Sequence, residues 1–330
     1  MNSRSRILAA LNGGEMDRIP VTEIGVWPET RLRWIGEGMP ADVSVEDYFG
    51  LDKIEVFPFD ASVFTDTMIC DIDAWVKVRD GLTPDLSRFE KYDRHFGFGY
   101  ALPHTMKEQY ENAKYANIFT VYSPIEPCWF YLGLLSKEEA LCNIATNPDF
   151  VEQVISDYTD FNLNMMDVVF SAGYRFDALW VFSDLCYKNG MLFSPVFFRE
   201  RVLPYQHKFF CKAKELNMKV IYHCDGYINE FVPLLIEAGV DCIQPLEVRA
   251  GNDMRDYMRR YPGKLSYMGN INADALAAGK ESIYNEIKDK VAEAKKTRRY
   301  IYHSDHSIPD TVALEDFKYS INLAYEFGRY

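Results

Sequence analysis

Apolar positions along the chain switch repeatedly between two periods. Residues 3–12 carry helical spacing, entered from Ser3 or Ser5 and closed by Gly13-Gly14. Short β-branched and aromatic runs predict strands at 19–24, 54–59, 118–123, 177–183, 219–223, 241–246, 265–269 and 300–303. Between 137 and 172 the apolar residues return to helical spacing, and Asn147-Pro148 splits that stretch into two helices. Ser194-Pro195 opens a further helix, which Pro204 interrupts. Helical patterns at 228–238, 252–261, 273–277, 281–297 and 314–327 alternate with the last strands. Runs at 74–79 and 87–93 bracket Asp80-Gly81, a turn signal, and predict a small hairpin insertion.

Strands separated by helical segments are built as βα units with a parallel sheet. The count predicts an α/β protein, a (β/α)8 TIM barrel with an N-terminal helical extension and a small hairpin insertion. No low-complexity linker interrupts residues 1–330, which therefore read as a single domain. A length of 330 residues suits one such barrel with insertions.

Composition narrows the class of partner. The formal charge of −13 argues against nucleic acid and anionic membrane surfaces, because no basic stripe exists to meet phosphates. No apolar run approaches the roughly 18 residues of a membrane span. The first twenty residues lack the apolar core of a signal peptide, and seven cysteines stand at scattered spacings without a Cys-x-x-Cys pair. A reducing, cytoplasmic setting is expected.

Chemically loaded residues follow the predicted strands. The run 219–226 ends in His223 and Asp225, and 241–247 in Glu247. The run 265–270 ends in Asn270, and 300–306 in Asp305 and His306. Glu23, near the end of the first strand, and Asp184, after the fourth, are their counterparts. Polar groups at the C-terminal ends of parallel strands are the expected layout of a barrel active site. Residues two apart on a strand project to one side, so His223 and Asp225 can share a metal ion, with His306 joining from the last strand. Alternatively, His223 and Asp225 hydrogen-bond each other or neighbouring loops. Cys224 points the other way and reads as an inert buried thiol. Asp184, Glu247 and Asp305 are the candidate catalytic acids, with salt bridges as the alternative role for Asp184 and Glu247. Glu23, Trp27, Tyr122 and Asn270 are the candidate substrate contacts, the two aromatics belonging to a cluster suited to a flat apolar molecule. No Gly-x-Gly-x-x-Gly, Walker loop or Gly-x-Ser-x-Gly elbow supports nucleotide binding or serine hydrolysis.

Several of these segments together resemble the uroporphyrinogen decarboxylase superfamily. They are the Arg4–Pro20 region ending in Asp17-Arg18-Ile-Pro20, Ser183-Asp184, and the stretch from Phe193-Ser194-Pro195 to Leu203-Pro204. His223-Cys-Asp-Gly226 through Asp241, Gly269-Asn-Ile-Asn272 and Asp305-His-Ser-Ile-Pro309 complete the set. The resemblance implies a (β/α)8 barrel. True decarboxylases of that superfamily hold a porphyrinogen's carboxylates on an arginine-rich N-terminal loop. The matching segment here, from Ile24 to Arg33, departs from that pattern and has Glu23 and Glu29 beside it. The other branch resembled is that of cobamide-dependent methyltransferases, whose thiol-activating members carry zinc on His-x-Cys and a later Cys. The corresponding positions here are His223, Asp225 and His306. Replacing thiolates by nitrogen and oxygen ligands makes a harder Lewis acid, suited to an oxygen-bearing substrate. The resemblance thus implies an O-demethylase-type methyltransferase using zinc, a small methoxy substrate and cobalamin carried by a separate corrinoid protein, with a homodimer possible. The rival expectations are a cofactor-free decarboxylase of a smaller acid and a metal-free binding protein.

Overall fold

A computed structural model describes residues 1–23, 25–59, 72–87 and 105–330. Its main sheet has seven strands: β1 (Ile54–Pro58), β2 (Phe119–Ser123), β3 (Ala178–Phe182), β6 (Lys219–Cys224), β7 (Cys242–Pro245), β8 (Ser266–Met268) and β9 (Tyr300–Ile301). They pair in that order and all in parallel. Two short strands, β4 (Cys186–Tyr187) and β5 (Gly190–Met191), form a separate antiparallel hairpin.

Alternation along the strands sorts the side chains onto two buried faces, as a parallel sheet covered on both sides requires. On one face Phe119, Val121, Ala178, Trp180, Ile221, Cys242, Met268 and Ile301 pack together. Helix Ser3–Asn12 closes the N-terminal side of this cluster with Ile7, Ala10 and Leu11. On the other face Phe57, Tyr122, Leu179, Tyr222, Ile243 and Tyr267 pack among the surrounding helices. Truncating one of the large side chains in such a core costs about 3–5 kcal/mol.

Most predicted elements appear with small changes at their ends. Helix Ser3–Asn12 is capped by Asn2, whose side chain accepts the Ser5 N–H, and by Gly13 at φ 68°. Asn147-Pro148 separates helix Lys137–Thr146 from helix Pro148–Ser171. Before Pro204, residues Phe198–Val202 form a π-helical turn, so the interruption takes the form of a widened turn.

Two expectations are corrected. The segment 19–24 is no strand: Val21 makes an isolated parallel bridge to Tyr302, and residue 24 lies outside the described residues. Pro20 has no N–H to continue a ladder, although its carbonyl accepts the Tyr302 N–H at 2.9 Å. The Thr22 N–H donates to the Tyr302 carbonyl, and the Val21 carbonyl accepts the Asp52 N–H. This segment therefore bonds both to the exit of β9 and to the approach to β1. The seven strands of the main sheet among the described residues stand against eight expected.

The second correction concerns the hairpin at 74–93. Residues Ile72–Arg79 are a helix, and 88–93 lie outside the described residues. Trp75 is fully buried and its indole N–H donates to Asp157 on helix Pro148–Ser171, so tertiary packing overrides the strand preference of the Trp-Val pair. Among the described residues, no helix is long and apolar enough to cross a membrane.

Candidate functional site

Adjacent strands β3 and β6 deliver the central group. Their register sets Phe182 opposite His223, and the imidazole rests on the Phe182 ring with centroids 4.7 Å apart. Asp184 comes two residues past the end of β3 and Asp225 one residue past the end of β6. His223 Nε2 lies 3.4 Å from Asp184 Oδ1 and 3.9 Å from Asp225 Oδ1. The Asp225 N–H donates to Asp184 Oδ1 at 3.1 Å, tying the two loops together. One potential ligand atom from each of Asp184, His223 and Asp225 lies within 4.8 Å of the others.

The other imidazole nitrogen has a defined role. His223 Nδ1 is 2.6 Å from Gln244 Oε1, an acceptor, so Nδ1 carries the hydrogen and donates it. Nε2 is left facing two carboxylates. Gln244 stands opposite His223 in the β6–β7 register and is buried. The Asp225 Oδ1 atom is buried and has no hydrogen-bond partner among the described residues.

The electrostatics follow from this crowding. Burial pushes the Asp184 carboxyl up, but the nearby His223 and the Asp225 N–H outweigh it and hold it below its ordinary value. Burial works to lower His223, yet Asp184, the charge of Asp225 and the Gln244 contact raise it above the usual histidine value. Asp225 is raised by burial and by the charges of Asp184 and Glu247, against the pull of His223 and His306.

Around this centre a polar frame fixes the loops. Glu247 accepts the Gly226 N–H at 2.9 Å. Gly226 has φ 84°, and a Cβ there would sit 2.7 Å from the backbone of Cys186 and Tyr187, so glycine lets the β4–β5 hairpin rest on the exit of β6. Asn252 donates to the carbonyls of Gly226 and Glu247, and its Oδ1 accepts from Ile228 N and Tyr257 OH. Asn270, fully buried at φ 65°, donates to the carbonyls of Leu246 and Asn252 and accepts the Met254 N–H. Asp305 is buried, with its two oxygens accepting Val248 N–H and Ala273 N–H, each at 2.9 Å. Burial raises its carboxyl despite those bonds. Asn270 and Asp305 are thus placed as braces of the loops after β7 and β8. Asp253 caps helix Met254–Arg260, accepting the Arg255 N–H.

The remaining sequence candidates are spread out. Glu23 is buried: Oε2 accepts the Ser304 hydroxyl at 2.6 Å, and Oε1 lies 3.4 Å from His303 Nε2. His306 is exposed, outside the three-residue group, and its ring stacks with Trp27 at 6.5 Å. Tyr122 is not brought to the centre. It lies on the helix-covered face, stacked on Phe59 at 4.3 Å. Gln244 and Ser304 carry no signal among the sequence motifs. Of these, Gln244 was accessible by period, since it follows Cys242 by two and shares its face.

A sequence-family comparison matches residues 133–327 to the family described as Uroporphyrinogen decarboxylase (URO-D), and the chain belongs to that family. Among solved structures, a methyltransferase from Methanosarcina mazei is similar over 99% of both chains, with 17% identity and a TM-score of 0.60. An endo-beta-1,4-xylanase from Gloeophyllum trabeum is similar over 82% of this chain and 96% of its own, with 10% identity and a TM-score of 0.43. No curated protein sequence matches.

Proposed function

We propose that this member of the family is a methyltransferase that takes a methyl group from a small methoxy substrate and passes it to a corrinoid protein. In this reading the segment 20–22, between β9 and β1, completes a (β/α)8 barrel whose C-terminal strand ends form the active site. The observation that carries the reading is the buried, unpartnered Asp225 Oδ1 beside His223 Nε2 and Asp184. An acceptor oxygen left without a donor in an acidic cluster fits a cation. The donor set, one imidazole and two carboxylates, suits zinc and leaves coordination positions for substrate and water.

Asp184, His223 and Asp225 would hold that ion. When bound it supplies Lewis-acid polarisation of the methoxy oxygen, making the alkoxide or phenolate a better leaving group. The chain's residues prepare this state. Gln244 holds His223 in the tautomer that presents the Nε2 lone pair, the outer-shell role typical of metal-bound histidines. Asp184, held anionic beside His223, is a poor proton donor, so we assign return of a proton to the leaving oxygen to Glu247. The exposed Trp27 face, stacked with His306, offers a flat wall for an aromatic substrate at the mouth. The methyl acceptor is cobalamin on a separate partner, as methyltransferases of this superfamily imply.

Among the described residues, the arginines of the segment that a cofactor-free decarboxylase would use to hold a polyanion are engaged by the chain itself. Arg31 donates to the carbonyls of Ala41 and Val43, and Arg33 is taken up by Glu37 and the Asp310 carbonyl. Metal content by mass spectrometry on tag-free protein tests the proposal. About one zinc per chain, lost in His223→Ala, is expected; no zinc after reconstitution would sink metal-assisted demethylation.

A further inference from the structure

We propose that Glu126 is a positioning residue for the Asp184, His223 and Asp225 group, holding the exits of β3 and β6 from behind. The proposal rests on the metal-dependent reading above.

Glu126 follows β2 and caps helix Pro127–Gly133, accepting the Trp129 N–H at 2.7 Å. It has no exposed surface. Among the described residues, no lysine, arginine or histidine pairs with it. Its partners are neutral: Oε1 accepts the Gln206 amide at 2.8 Å, and Oε2 accepts the Ser183 hydroxyl at 3.2 Å. A further backbone bond comes from Cys128. A buried carboxylate without a cation is costly, and here burial pushes its pKa up while those donors pull it back. Such a group persists where it does something an apolar side chain would not.

What it does is visible in its contacts. Tyr222 OH donates to Ser183 Oγ at 3.0 Å, and Ser183 Oγ donates to Glu126, so the carboxylate terminates a directed chain of hydroxyls. Gln206 also reaches the Tyr222 oxygen, at 3.2 Å. Ser183 immediately precedes Asp184, and Tyr222 immediately precedes His223. The Glu126 main chain joins the same place: its N–H donates to the Phe182 carbonyl, and Ile125 bridges Phe182. The Ser183 N–H in turn donates to the His223 carbonyl at 3.1 Å. Because successive strand residues face opposite sides, clamping Tyr222 on the helix-covered face sets the ring of His223 on the other. One carboxylate thereby fixes both loops whose side chains meet at the metal-ligating group. Glutamine is a poor substitute, since its NH2 would face groups that themselves donate.

The test uses the full chain. Zn2+ affinity is measured by competition with a chromophoric chelator, and the absorption bands of Co2+-loaded protein report ligand geometry. E126Q is expected to weaken Zn2+ binding by about 10–100-fold, the usual effect of losing an outer-shell support, and to shift the Co2+ bands. S183A, which cuts the hydroxyl chain while leaving the carboxylate, is expected to weaken binding several-fold with a smaller shift. D52N, at the opposite end of the sheet, is expected to lower Tm without altering either readout. Wild-type affinity and spectrum in E126Q, or in S183A should E126Q not fold, would overturn the positioning role. Equal weakening in D52N would overturn it too, since the loss would then merely follow stability. A wild-type chain that binds neither ion would instead overturn the metal-dependent reading itself, and this proposal with it.

Discussion

The two ends of the sheet hold similar residue types in opposite electrostatic conditions. At the N-terminal side, Arg6 grips Asp17 with two bonds, at 2.8 and 2.9 Å, and also reaches Asp52. Asp52 in addition takes Arg18 at 2.6 Å and the Val21 N–H at 2.9 Å. Hydrogen bonding to Arg6 holds the Asp17 carboxyl far below its ordinary value. At the C-terminal side, Asp184 and Asp225 face one imidazole, that of His223, while Glu247 takes the neighbouring Gly226 N–H, and an Asp225 oxygen has no hydrogen-bond donor among the described residues. The first cluster is neutralised by the chain itself and serves the fold. The second is not neutralised by the chain in the same way, and the proposed metal binding rests on that difference.

Variants at each end separate the two roles. The largest effect is expected from Asp52→Asn, which leaves Arg6 and Arg18 each short of a buried partner. A loss of about 3 kcal/mol in denaturant unfolding is expected, with metal binding intact. His223→Ala should do the reverse, weakening Zn2+ binding by about 100-fold, roughly 2.7 kcal/mol, with little change in Tm. Retention of metal by that variant would erase the contrast.

Smaller effects sharpen the comparison. Asp225→Asn should stabilise the metal-free chain at neutral pH by roughly 1 kcal/mol, because it removes a carboxylate whose burial and acidic neighbours outweigh the pull of His223 and His306. The sign follows from linkage. Asp225 has a raised folded pKa, so its ionisation opposes folding as pH rises above the unfolded aspartate value of about 3.9. The stability gap between variant and wild type should therefore be absent in strong acid and open as pH rises, which chemical denaturation across pH would read. Asp17 behaves oppositely: its lowered pKa contributes stability above the unfolded value that is lost in acid. The smallest effect belongs to His306→Ala. Lying outside the three-residue group, it should change Zn2+ affinity only a few-fold while raising the KM for an aromatic substrate through loss of the Trp27 stack.

Much of the fold was legible because it is written in local period and punctuation. The helices at 3–12, 273–277 and 314–327 begin and end where their spacing predicts. Strand exits carrying His223, Asp184 and Asp225 could be read the same way, since two-residue alternation is a local property. The failures share a cause. The run at 74–79 has strand-like residues, but a helix buries Trp75 against Asp157 on a distant helix. Tyr122 looked like a pocket residue, and its place on the strand turned it toward the helices instead.

The amino-acid sequence by itself determined the alternation of strands and helices, the acidic character of the strand ends and the chemistry on offer there. Only the tertiary structure decided which of those groups meet. Asp184 and His223 are 39 residues apart, and their approach to 3.4 Å depends on β3 pairing with β6 in one register. Gln244 gains its role only because β7 sets it opposite His223. Asp305 and Asn270, equally polar and equally near strand ends, were turned into loop braces by backbone N–H and carbonyl groups that the folding of distant segments brought to them. Residue type and period are local, whereas the donor or acceptor that claims a side chain is supplied by whichever backbone the fold sets beside it.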